Sequence, residues 1–339
     1  MVTTNETPRR RKNSWLNALL TLVIAALVTT VAGTNGLVRA LRNELDGVKR
    51  ESVATTALSP AHPDFENYLF VGSDSRAGSD PSDPDYNNVG AEGDIGGQRS
   101  DTLMVMHYVK ATGTVSLLSI PRDLWVYIGD GDERQRVNTA YQLGTDVLVR
   151  TVQRALGIPI HHYVEINFQG FKAIVDSVGG VSVCVDYASR DKHTGLFMRP
   201  GCSTLDGVEA LAFARSRFFE QKIDGDWQVD GSSDIGRTAR QRLFVQALAK
   251  SAVLGVSDNP FSVGSVIEGA LGAVVIDEQL NLIEFGKKMR PAASGKIASF
   301  PLAVYGDTIG GNSVLQLGED AAELLAFFAG TGPRPVLNP

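Results

Sequence analysis

The sequence predicts an α/β protein with a central, mostly continuous β-sheet flanked by helices and preceded by one transmembrane helix. Short runs rich in Val, Ile and Leu are typical of strands, and apolar residues at helical spacing recur between them. An uncharged segment near the N-terminus predicts the transmembrane helix. No internal repeat is visible, so we expect one domain outside the membrane, residues 65–330, with its core motifs at 67–252.

The N-terminal 64 residues predict a membrane anchor. Residues 15–38 carry no charge, and roughly 20 apolar residues suffice to cross a bilayer. The basic run RRRK is expected to lie in a cytoplasmic tail, residues 1–14, so that this would be a single-pass protein whose residues after the anchor face the outside. A cleaved signal peptide is the alternative. Residues 39–64 are expected to form a stalk and linker.

Secondary-structure elements follow from periodicity and from Gly and Pro punctuation. The acidic segment 79–97 lacks periodicity and is expected to be a surface loop. Strands are predicted at 67–72, 102–109, 114–120, 162–169, 181–186 and 296–305, and helices at 145–157, 170–180, 205–217, 233–253 and 319–330.

Two predicted helices carry cationic side chains. The helix at 205–217 has a capping box, Asp206 with Glu209, and its apolar stripe runs into Arg215, with Arg217 just beyond. The next helix, 233–253, places three polar side chains on one face and an apolar packing face beside it. The polar face consists of Arg237, Arg240 and Gln241, and the packing face of Leu243, Phe244, Ala247 and Leu248.

Composition excludes several classes of function. A net charge of −6 gives no reason to expect a nucleic-acid partner. Nucleophile-elbow, P-loop and zinc-protease motifs are absent from the sequence.

Cys184 and Cys202 both follow the anchor and are expected to form a disulfide outside the cytoplasm, with two unrelated buried thiols as the alternative.

Arg and Asp recur at the ends of the first three predicted strands. Any one of these charges alone is typical of a solvated surface, but their succession favours a binding site, because α/β folds build sites at strand ends. Arg suits phosphate, and Mg²⁺ prefers one or two carboxylates together with phosphate oxygens. The pattern therefore predicts pyrophosphate or phosphodiester chemistry. The residues are Asp74 and Arg76, Arg99 and Asp101, and Arg122 with Asp123.

Seven ordered segments resemble the LytR-CpsA-Psr family of cell-wall assembly proteins. They are NYLFVGSDSR, RSDTLMVMHY, VSLLSIPRDLWV, RVNTAYQLG, HHYVEINFQGFKAIVDSVGGV, LDGVEALAFARSRF and DIGRTARQRLFVQAL. The resemblance implies an α-β-α sandwich with an apolar channel for a polyprenyl chain. It also implies a membrane-anchored phosphotransferase that moves a glycopolymer from polyprenyl pyrophosphate to peptidoglycan and leaves a phosphodiester link.

The resemblance also implies roles for individual residues. Asp74 and Asp101 would hold Mg²⁺, or Mn²⁺ in its place, and would act in catalysis with Arg122 and Arg217. The implied substrate-binding residues are Arg76, Arg99, Arg136, Arg215, Arg237, Arg240 and Gln241. Phe168, Phe171, Phe213 and Phe244 would line the lipid channel or simply pack in the core.

Two insertions, 79–97 and 219–233, resemble the actinobacterial branch, as does the Cys pair, which implies an arabinogalactan-like or teichoic-acid-like polymer. The insertions would cover the site or recognise the acceptor. Two other functions stay open: a polyprenyl-pyrophosphate phosphatase, and a non-enzymatic protein that binds wall polymers or lipids.

Overall fold

The structure is a computed structural model that describes residues 49–53, 56–75, 81–89, 100–230, 274–282 and 297–336, with shorter pieces within 236–247 and 284–288. The chain divides into two units, residues 1–46 and 47–339, and every described residue belongs to the second. The predicted cytoplasmic tail and transmembrane helix, 1–14 and 15–38, lie outside the described residues. Among the residues that are described, no helix is long and apolar enough to cross a bilayer.

A mixed β-sheet forms the centre of the described domain and confirms the predicted α/β class. Strands β2, β3 and β4 form an antiparallel meander, whereas β7 pairs parallel to β2, and β15 pairs parallel to β4. In spatial order the strands are β1 (Lys49–Glu51), β14 (Val274–Asp277), β7 (His162–Ile166), β2 (Phe65–Ser73), β3 (Ser100–Val109), β4 (Thr114–Ile120) and β15 (Ala298–Pro301), numbered along the chain.

Both faces of this sheet are buried, as the predicted sandwich requires. Successive side chains of a strand point to opposite faces. Leu69 of β2 therefore packs with Leu148 and Phe328, which lie on helices α3 (Thr145–Leu156) and α6 (Ala321–Phe328). Tyr68 packs on the other face with Phe285.

Local signals place the helices where the sequence predicts them. Helix α3 ends at Gly157, whose φ of 66° is the left-handed conformation expected at a helix C-cap. Helix α5 (Gly207–Arg215) begins with the predicted capping box, in which Asp206 Oδ1 accepts from the N–H of Glu209 at 2.9 Å. Helix α4 (Phe168–Ser177) is capped by Asn167.

Gly207 sets the close approach of α5 to α4. A Cβ at this position would lie only 2.6 Å from the carbonyl oxygen of Lys172, which no side chain tolerates. The same region is fixed by a 2.7 Å bond from the Gly207 N–H to Asp176 Oδ1. This contact determines where the C-terminal end of α5, and with it Arg215, lies.

Smaller elements surround the sheet. Cys184 lies opposite Cys202 across two paired strands and is bonded to it, which confirms the predicted disulfide. The additional elements are helices α1 (Tyr86–Val89) and α2 (Thr139–Gln142), the pairs β5 (Trp125–Tyr127) with β6 (Arg134–Arg136), β8 (Val181–Val185) with β11 (Gly201–Leu205), and β16 (Val304–Ile309) with β17 (Asn312–Leu317), and the sheet β10 (Leu196–Met198), β9 (Ser189–Asp191), β12 (Glu220–Ile223), β13 (Asp226–Val229).

The predicted stalk and linker, residues 39–64, was wrong in its C-terminal part. Strand β1 pairs with β14 in the main sheet, and Ala57 and Leu58 are buried in the core. The N–H of Ser59 also donates to the carbonyl of Ile160 at 2.7 Å. Strand pairing uses the backbone, so the polar side chains of this segment gave no apolar pattern to detect.

Two other element predictions need correction. The predicted strand at 296–305 is divided into β15 and β16, because Pro301 has no N–H with which to continue a ladder. In the predicted helix 233–253, residues 236–247 are helical wherever they are described, but the faces differ from prediction. Leu243 is 59% exposed, whereas Arg237, Arg240 and Gln241 are buried.

Buried histidines lie at the end of the sheet where β2 begins. His161 Nδ1 accepts from the N–H of Asn67 at 2.9 Å, and His107 Nδ1 lies 2.7 Å from Asn67 Oδ1. Burial, and then the neighbouring charge of another histidine, lower the pKa of His107 and of His161 to about 4. Both side chains are therefore neutral in the folded protein at pH 7.

We expect the free energy of unfolding to fall as the pH is lowered from about 7 to about 4, by on the order of 3 kcal/mol per histidine. Unfolded histidine binds its proton near pH 6.5 and the folded groups only near pH 4, so acid favours the unfolded chain in this window. Urea unfolding over the pH range tests this. His161→Gln should flatten the profile, and a flat wild-type profile would contradict neutral buried histidines.

Candidate functional site

The strand register brings the predicted site segments to one end of the sheet. Gly72, near the end of β2, pairs with Thr102 at the start of β3 and with Ile166 at the end of β7. Leu103 pairs with Ile120, the last residue of β4. Asp74, the backbone of Asp101 and the Pro121–Asp123 turn therefore share this end, which we call the site end.

Asp74 follows β2 in a turn that a hydrogen-bond chain holds in place. The N–H of Ser75 donates to Ser73 Oγ at 3.2 Å, so that a side-chain bond closes the turn around Asp74. Ser73 Oγ lies 2.9 Å from the hydroxyl of Tyr141, which donates to Glu165 Oε1 at 2.6 Å. The position of Asp74 thus depends on a residue of α2 and one of β7.

Glu165 is the centre of this chain, which we call the tyrosine–glutamate network. Its other oxygen accepts from the hydroxyl of Tyr163 at 2.7 Å. Burial raises the pKa of Tyr141 and of Tyr163, and the charge of Glu165 raises both further. Both hydroxyls therefore keep their protons and act as donors. The charge of Asp74 also raises the pKa of Tyr141.

Arg122 follows β4 and shares a carboxylate with Arg136. Arg122 Nε lies 3.6 Å from Asp123 Oδ2, and Arg136 Nε lies 3.4 Å from Asp123 Oδ1. The backbone is held as well, since the carbonyl of Asp123 accepts from the N–H of Leu315 at 3.0 Å. Partly exposed ion pairs of this kind contribute only about 0–1 kcal/mol to the stability of the folded protein. A doubly charged phosphate group can therefore compete with Asp123 for both guanidinium groups.

Arg215 reaches the site end from helix α5. Its guanidinium carbon lies 4.6 Å from the ring centroid of Phe168, the first residue of α4. Because α4 directly follows β7, this contact places Arg215 where β7 ends. The stacking also shows that the apolar stripe of α5 runs into Arg215, as the sequence predicts.

Arg217 lies in a short turn that is bound by a buried carboxylate. Asp191 Oδ2 accepts from the N–H of Arg217 at 3.1 Å, from the N–H of Phe218 at 3.0 Å and from Ser216 Oγ at 2.7 Å. Burial alone would raise the pKa of Asp191, but these bonds outweigh burial and lower it below the ordinary range. Asp191 is therefore an anion that fixes the backbone of Arg217.

Arg240 holds the same turn from the opposite side. Its Nη2 donates to the carbonyl of Ser216 at 2.6 Å, and its Nη1 donates to Asp230 Oδ2 at 3.1 Å. Gln241 donates to the carbonyl of Ala214 at 3.2 Å. Both side chains were predicted to bind substrate. In the structure they bond to carbonyl groups at the C-terminal end of α5 and so hold the backbone around Arg215 and Arg217; their contact with substrate stays a prediction.

Three predicted groups have no described side chain. Arg76 and Arg99 lie outside the described residues, and of Asp101 only the backbone is described. Arg237 is described and is 2% exposed, so its predicted contact with substrate would require the neighbouring groups to move. Among the side chains that are described, no group of three or more His, Cys, Asp or Glu is arranged to hold a metal ion.

The acidic insertion is attached to helix α4. Lys172 Nζ donates to Asp83 Oδ2 at 2.9 Å and to Asp85 Oδ1 at 3.0 Å, and Gln169 also donates to Asp83. Lys172 and Asp85 are buried. This part of the insertion therefore packs against the domain beside Phe168 instead of extending into solvent.

The predicted lipid-channel residues pack in the layer of α4 and α5. Phe171 and Phe244 stack with ring centroids 4.8 Å apart, and Phe213 and Phe244 are buried in one cluster. Phe168 is buried with Leu211. In this structure all four aromatic side chains have core contacts.

Sequence analysis missed Tyr141, Glu165 and Asp191. A carboxylate within the apolar strand β7 was a usable signal for Glu165, since a charged residue in such a strand is expected to have hydrogen-bond partners. Nothing in the local sequence around Asp191 distinguishes it from a solvated loop residue. Its importance appears only when β9 and the end of α5 meet in space.

Comparison with known proteins agrees with this architecture. The chain matches the LytR_cpsA_psr family model over residues 29–326. It is 35% identical over 262 residues to a probable cell wall biosynthesis protein LcpB of Corynebacterium glutamicum, a match covering 76% of this chain and 60% of that protein. It is 37% identical over 201 residues to the polyisoprenyl-teichoic acid–peptidoglycan teichoic acid transferase TagU of Bacillus mycoides. That match covers 58% of this chain and 55% of TagU. The chain thus spans little more than half the length of these curated relatives.

Solved structures have the same fold. A LytR-Csp2A-Psr enzyme from Actinomyces oris superposes with a TM-score of 0.63 at 24% identity, over 83% of this chain and 96% of that one. TagV of B. subtilis superposes with a TM-score of 0.60 at 26% identity, over 80% of this chain and 100% of TagV. The family match covers most of the chain and the Corynebacterium relative is actinobacterial. The chain therefore belongs to the LytR-CpsA-Psr family, on its actinobacterial branch.

Proposed function

We propose that this protein is a phosphotransferase that moves a glycopolymer from a polyprenyl pyrophosphate carrier to peptidoglycan. The observation that carries the proposal is the gathering of Asp74, Arg122 and Arg215 at one end of the sheet, with Arg217 in a turn held by Asp191. Guanidinium groups bind phosphate with paired hydrogen bonds and keep their charge at every physiological pH. The name of the TagU relative, a teichoic acid transferase, supports the same reaction class.

In the proposed reaction a sugar hydroxyl of peptidoglycan attacks the glycan-side phosphorus of the donor. The new phosphorus–oxygen bond forms as the bond to the bridging oxygen breaks, and polyprenyl phosphate leaves. The hydroxyl proton passes to a carboxylate at the site end, Asp74 or Asp101. Arg122 and Arg217 bind the equatorial oxygens on which negative charge grows, which lowers the barrier by electrostatic stabilisation.

The residues at the site end suit a divalent cation. Asp74 follows β2, and Asp101 lies at the start of the neighbouring strand β3. Carboxylates together with phosphate oxygens are the ligands that Mg²⁺ prefers. When bound, Mg²⁺ or Mn²⁺ would neutralise charge on the pyrophosphate. We propose Asp74 and Asp101 as its protein ligands, with the tyrosine–glutamate network holding Asp74 in position.

The remaining parts of the proposal concern location and polymer. Residues 15–38 would anchor the enzyme in the cytoplasmic membrane, with the domain on the outer side where lipid-linked glycans are presented. The donor would be an arabinogalactan-like or teichoic-acid-like polymer. The disulfide between Cys184 and Cys202 supports an oxidising compartment, because such bonds are rare in the cytosol.

Replacing Arg122 or Arg217 with Ala should abolish transfer, with a loss of at least about a hundredfold, because each removes a stabilising group from the transition state. The assay is transfer of a radiolabelled glycan from a synthetic polyprenyl pyrophosphate donor to peptidoglycan. Arg334→Ala, on the C-terminal segment, is the matched control. Transfer at the wild-type rate by both variants would contradict the proposal.

Product analysis in that assay separates the other functions. Release of the polymer phosphate in equal amounts with and without peptidoglycan would identify a phosphatase. Stable donor binding without any turnover, under every metal, would identify a binding protein.

Tyr141→Phe should raise the Mg²⁺ concentration needed for half-maximal transfer by about threefold to tenfold, because Asp74 loses the hydroxyl that fixes its turn. The measurement is a Mg²⁺ titration of the transfer rate, with Tyr127→Phe as a control on an exposed tyrosine. In an Asp74→Asn background the tyrosine change should add nothing. Equal effects in both backgrounds would show that Tyr141 does not act through Asp74.

Asp191→Asn should lower the transfer rate about tenfold or more, because the amide cannot accept from all the donors that the two carboxylate oxygens bind. The measurement is a double-mutant cycle with Arg217→Ala, together with thermal unfolding of each variant. Little further loss is expected on top of Arg217→Ala. Additive losses would show that Asp191 acts independently of Arg217.

A further inference from the structure

The described part of the insertion, residues 219–230, forms a β-hairpin that follows Arg217 and precedes Arg237 in the sequence. Strands β12 and β13 join at Asp224 and Gly225, whose φ angles of 53° and 94° are those of a two-residue type I′ turn. The hairpin extends the small sheet by pairing β12 with β9. Arg217 directly precedes the hairpin, and Asp230 at its other end is bonded through Arg240 to Ser216, so both ends of the hairpin adjoin the Arg217 turn.

The base of the hairpin is rigidly attached. The N–H of Asp230 donates to the carbonyl of Phe219 at 2.7 Å. Arg240 bonds to both Asp230 and Ser216, and its guanidinium carbon lies 4.5 Å from the ring centroid of Phe219. The hairpin therefore has a fixed position relative to the Arg217 turn.

The outer face of the small sheet carries rings and charges in two rows. Strand pairing places Phe197, Arg190, Glu220 and Val229 side by side, and Lys222 beside Trp227 in the next outward row. The Arg190 guanidinium carbon lies 3.9 Å from a ring centroid of Trp227, and Arg190 is also paired with Glu220. Phe197 is 58% exposed and Val229 is 60% exposed.

Phe218 continues this surface to the candidate site. It is 54% exposed, and its ring centroid lies 4.3 Å from that of His193. Phe218 is the residue directly after Arg217, and both backbone N–H groups bind Asp191. The outer face of β9, β10, β12 and β13, together with Phe218, is called the hairpin face below.

We propose that the hairpin face binds the sugars of the donor glycan nearest the pyrophosphate; this inference rests on the proposed function. A sugar bonded to a phosphate at Arg217 leaves the site beside Phe218 and continues toward Trp227. Aromatic rings pack against the C–H faces of sugar rings, while Arg190 and Glu220 can bond to hydroxyl groups on their edges.

Size and charge favour a neutral sugar chain over other occupants. Four strands of three or four residues, with a rise of about 3.3 Å per residue and a spacing of about 4.8 Å, form a face with an area of roughly 200 Å². This is far below the roughly 800 Å² that each partner buries in a stable protein interface. Arg190 is already paired with Glu220, so Lys222 is the remaining cation on these two rows. A polyanionic polymer would call for more positive charge.

The test compares two donors on the full-length protein in detergent: polyprenyl pyrophosphate carrying one neutral hexose and the same lipid carrying a neutral tetrasaccharide. Wild type should have the lower KM for the tetrasaccharide donor. Trp227→Ala and Phe197→Ala should raise that KM about threefold to tenfold and leave transfer of the single-sugar donor unchanged. Trp227→Phe should retain most of the advantage, because it retains a ring.

Tyr305→Ala removes a ring on β16 that is 54% exposed, close to the exposure of Phe197; it is the matched control and should change neither KM. Equal KM values for both donors in wild type, or no change in Trp227→Ala, would overturn the inference while transfer itself continues. If Trp227→Ala raised only the KM for peptidoglycan, the hairpin face would bind the acceptor, and the inference would also be overturned. Failure of the proposed function is distinct, because wild type would then transfer neither donor.

Discussion

The turn formed by Ser216, Arg217 and Phe218 depends on two buried charged side chains that bind its backbone from opposite sides. Asp191 accepts from the N–H groups, and Arg240 donates to the carbonyl of Ser216. Peptide groups separate the anion from the cation, so each charge is satisfied by main-chain dipoles as well as by ionic partners. Arg217, the start of the hairpin and the end of α5 all take their positions from this arrangement.

Buried charges are costly unless they are fully hydrogen-bonded, so such an arrangement forms only as a unit. Asp191 is completely buried, and Arg240 is 7% exposed. A related arrangement is the tyrosine–glutamate network, in which the partly buried Glu165 accepts from two hydroxyls whose raised pKa values keep them protonated. In both cases a carboxylate with several hydrogen-bond donors, completely buried in Asp191 and partly buried in Glu165, positions a backbone turn next to a residue proposed to act on substrate. The site end is therefore organised by hydrogen bonds to main chain and hydroxyls.

The sequence predicted five of the seven strands of the main sheet, all but β1 and β14, and the longer helices α3 to α6, because their signals are local. Helix α3 with its C-terminal Gly157, the capping box of Asp206 and the apolar strands all follow from spacing along the chain. Register then places Asp74, Asp101 and Arg122 together, as expected for strand ends. Arg240 and Gln241 were predicted from the family resemblance to bind substrate, and the structure buries both against the end of helix α5. Their burial depends on carbonyl groups of α5, which local sequence does not reveal.

Small elements were missed for a related reason. Strands β9, β10, β12 and β13 have three or four residues each, too few for a periodic pattern, and they exist by pairing with one another. Strand β1 likewise forms by backbone pairing at the edge of the main sheet. Such elements depend on tertiary context, which outweighs intrinsic preference in short strands.

The covalent link between Cys184 and Cys202 encloses the segment that contains Asp191. Closing a loop of this length removes conformational entropy from the unfolded chain. In the simplest treatment this stabilises the folded state by about 3 kcal/mol. Thiol oxidation therefore restricts the freedom of the very segment that orients Arg217. An oxidising environment thus favours folding of the segment that carries the arginine turn, because reduction of the disulfide returns this entropy to the unfolded chain.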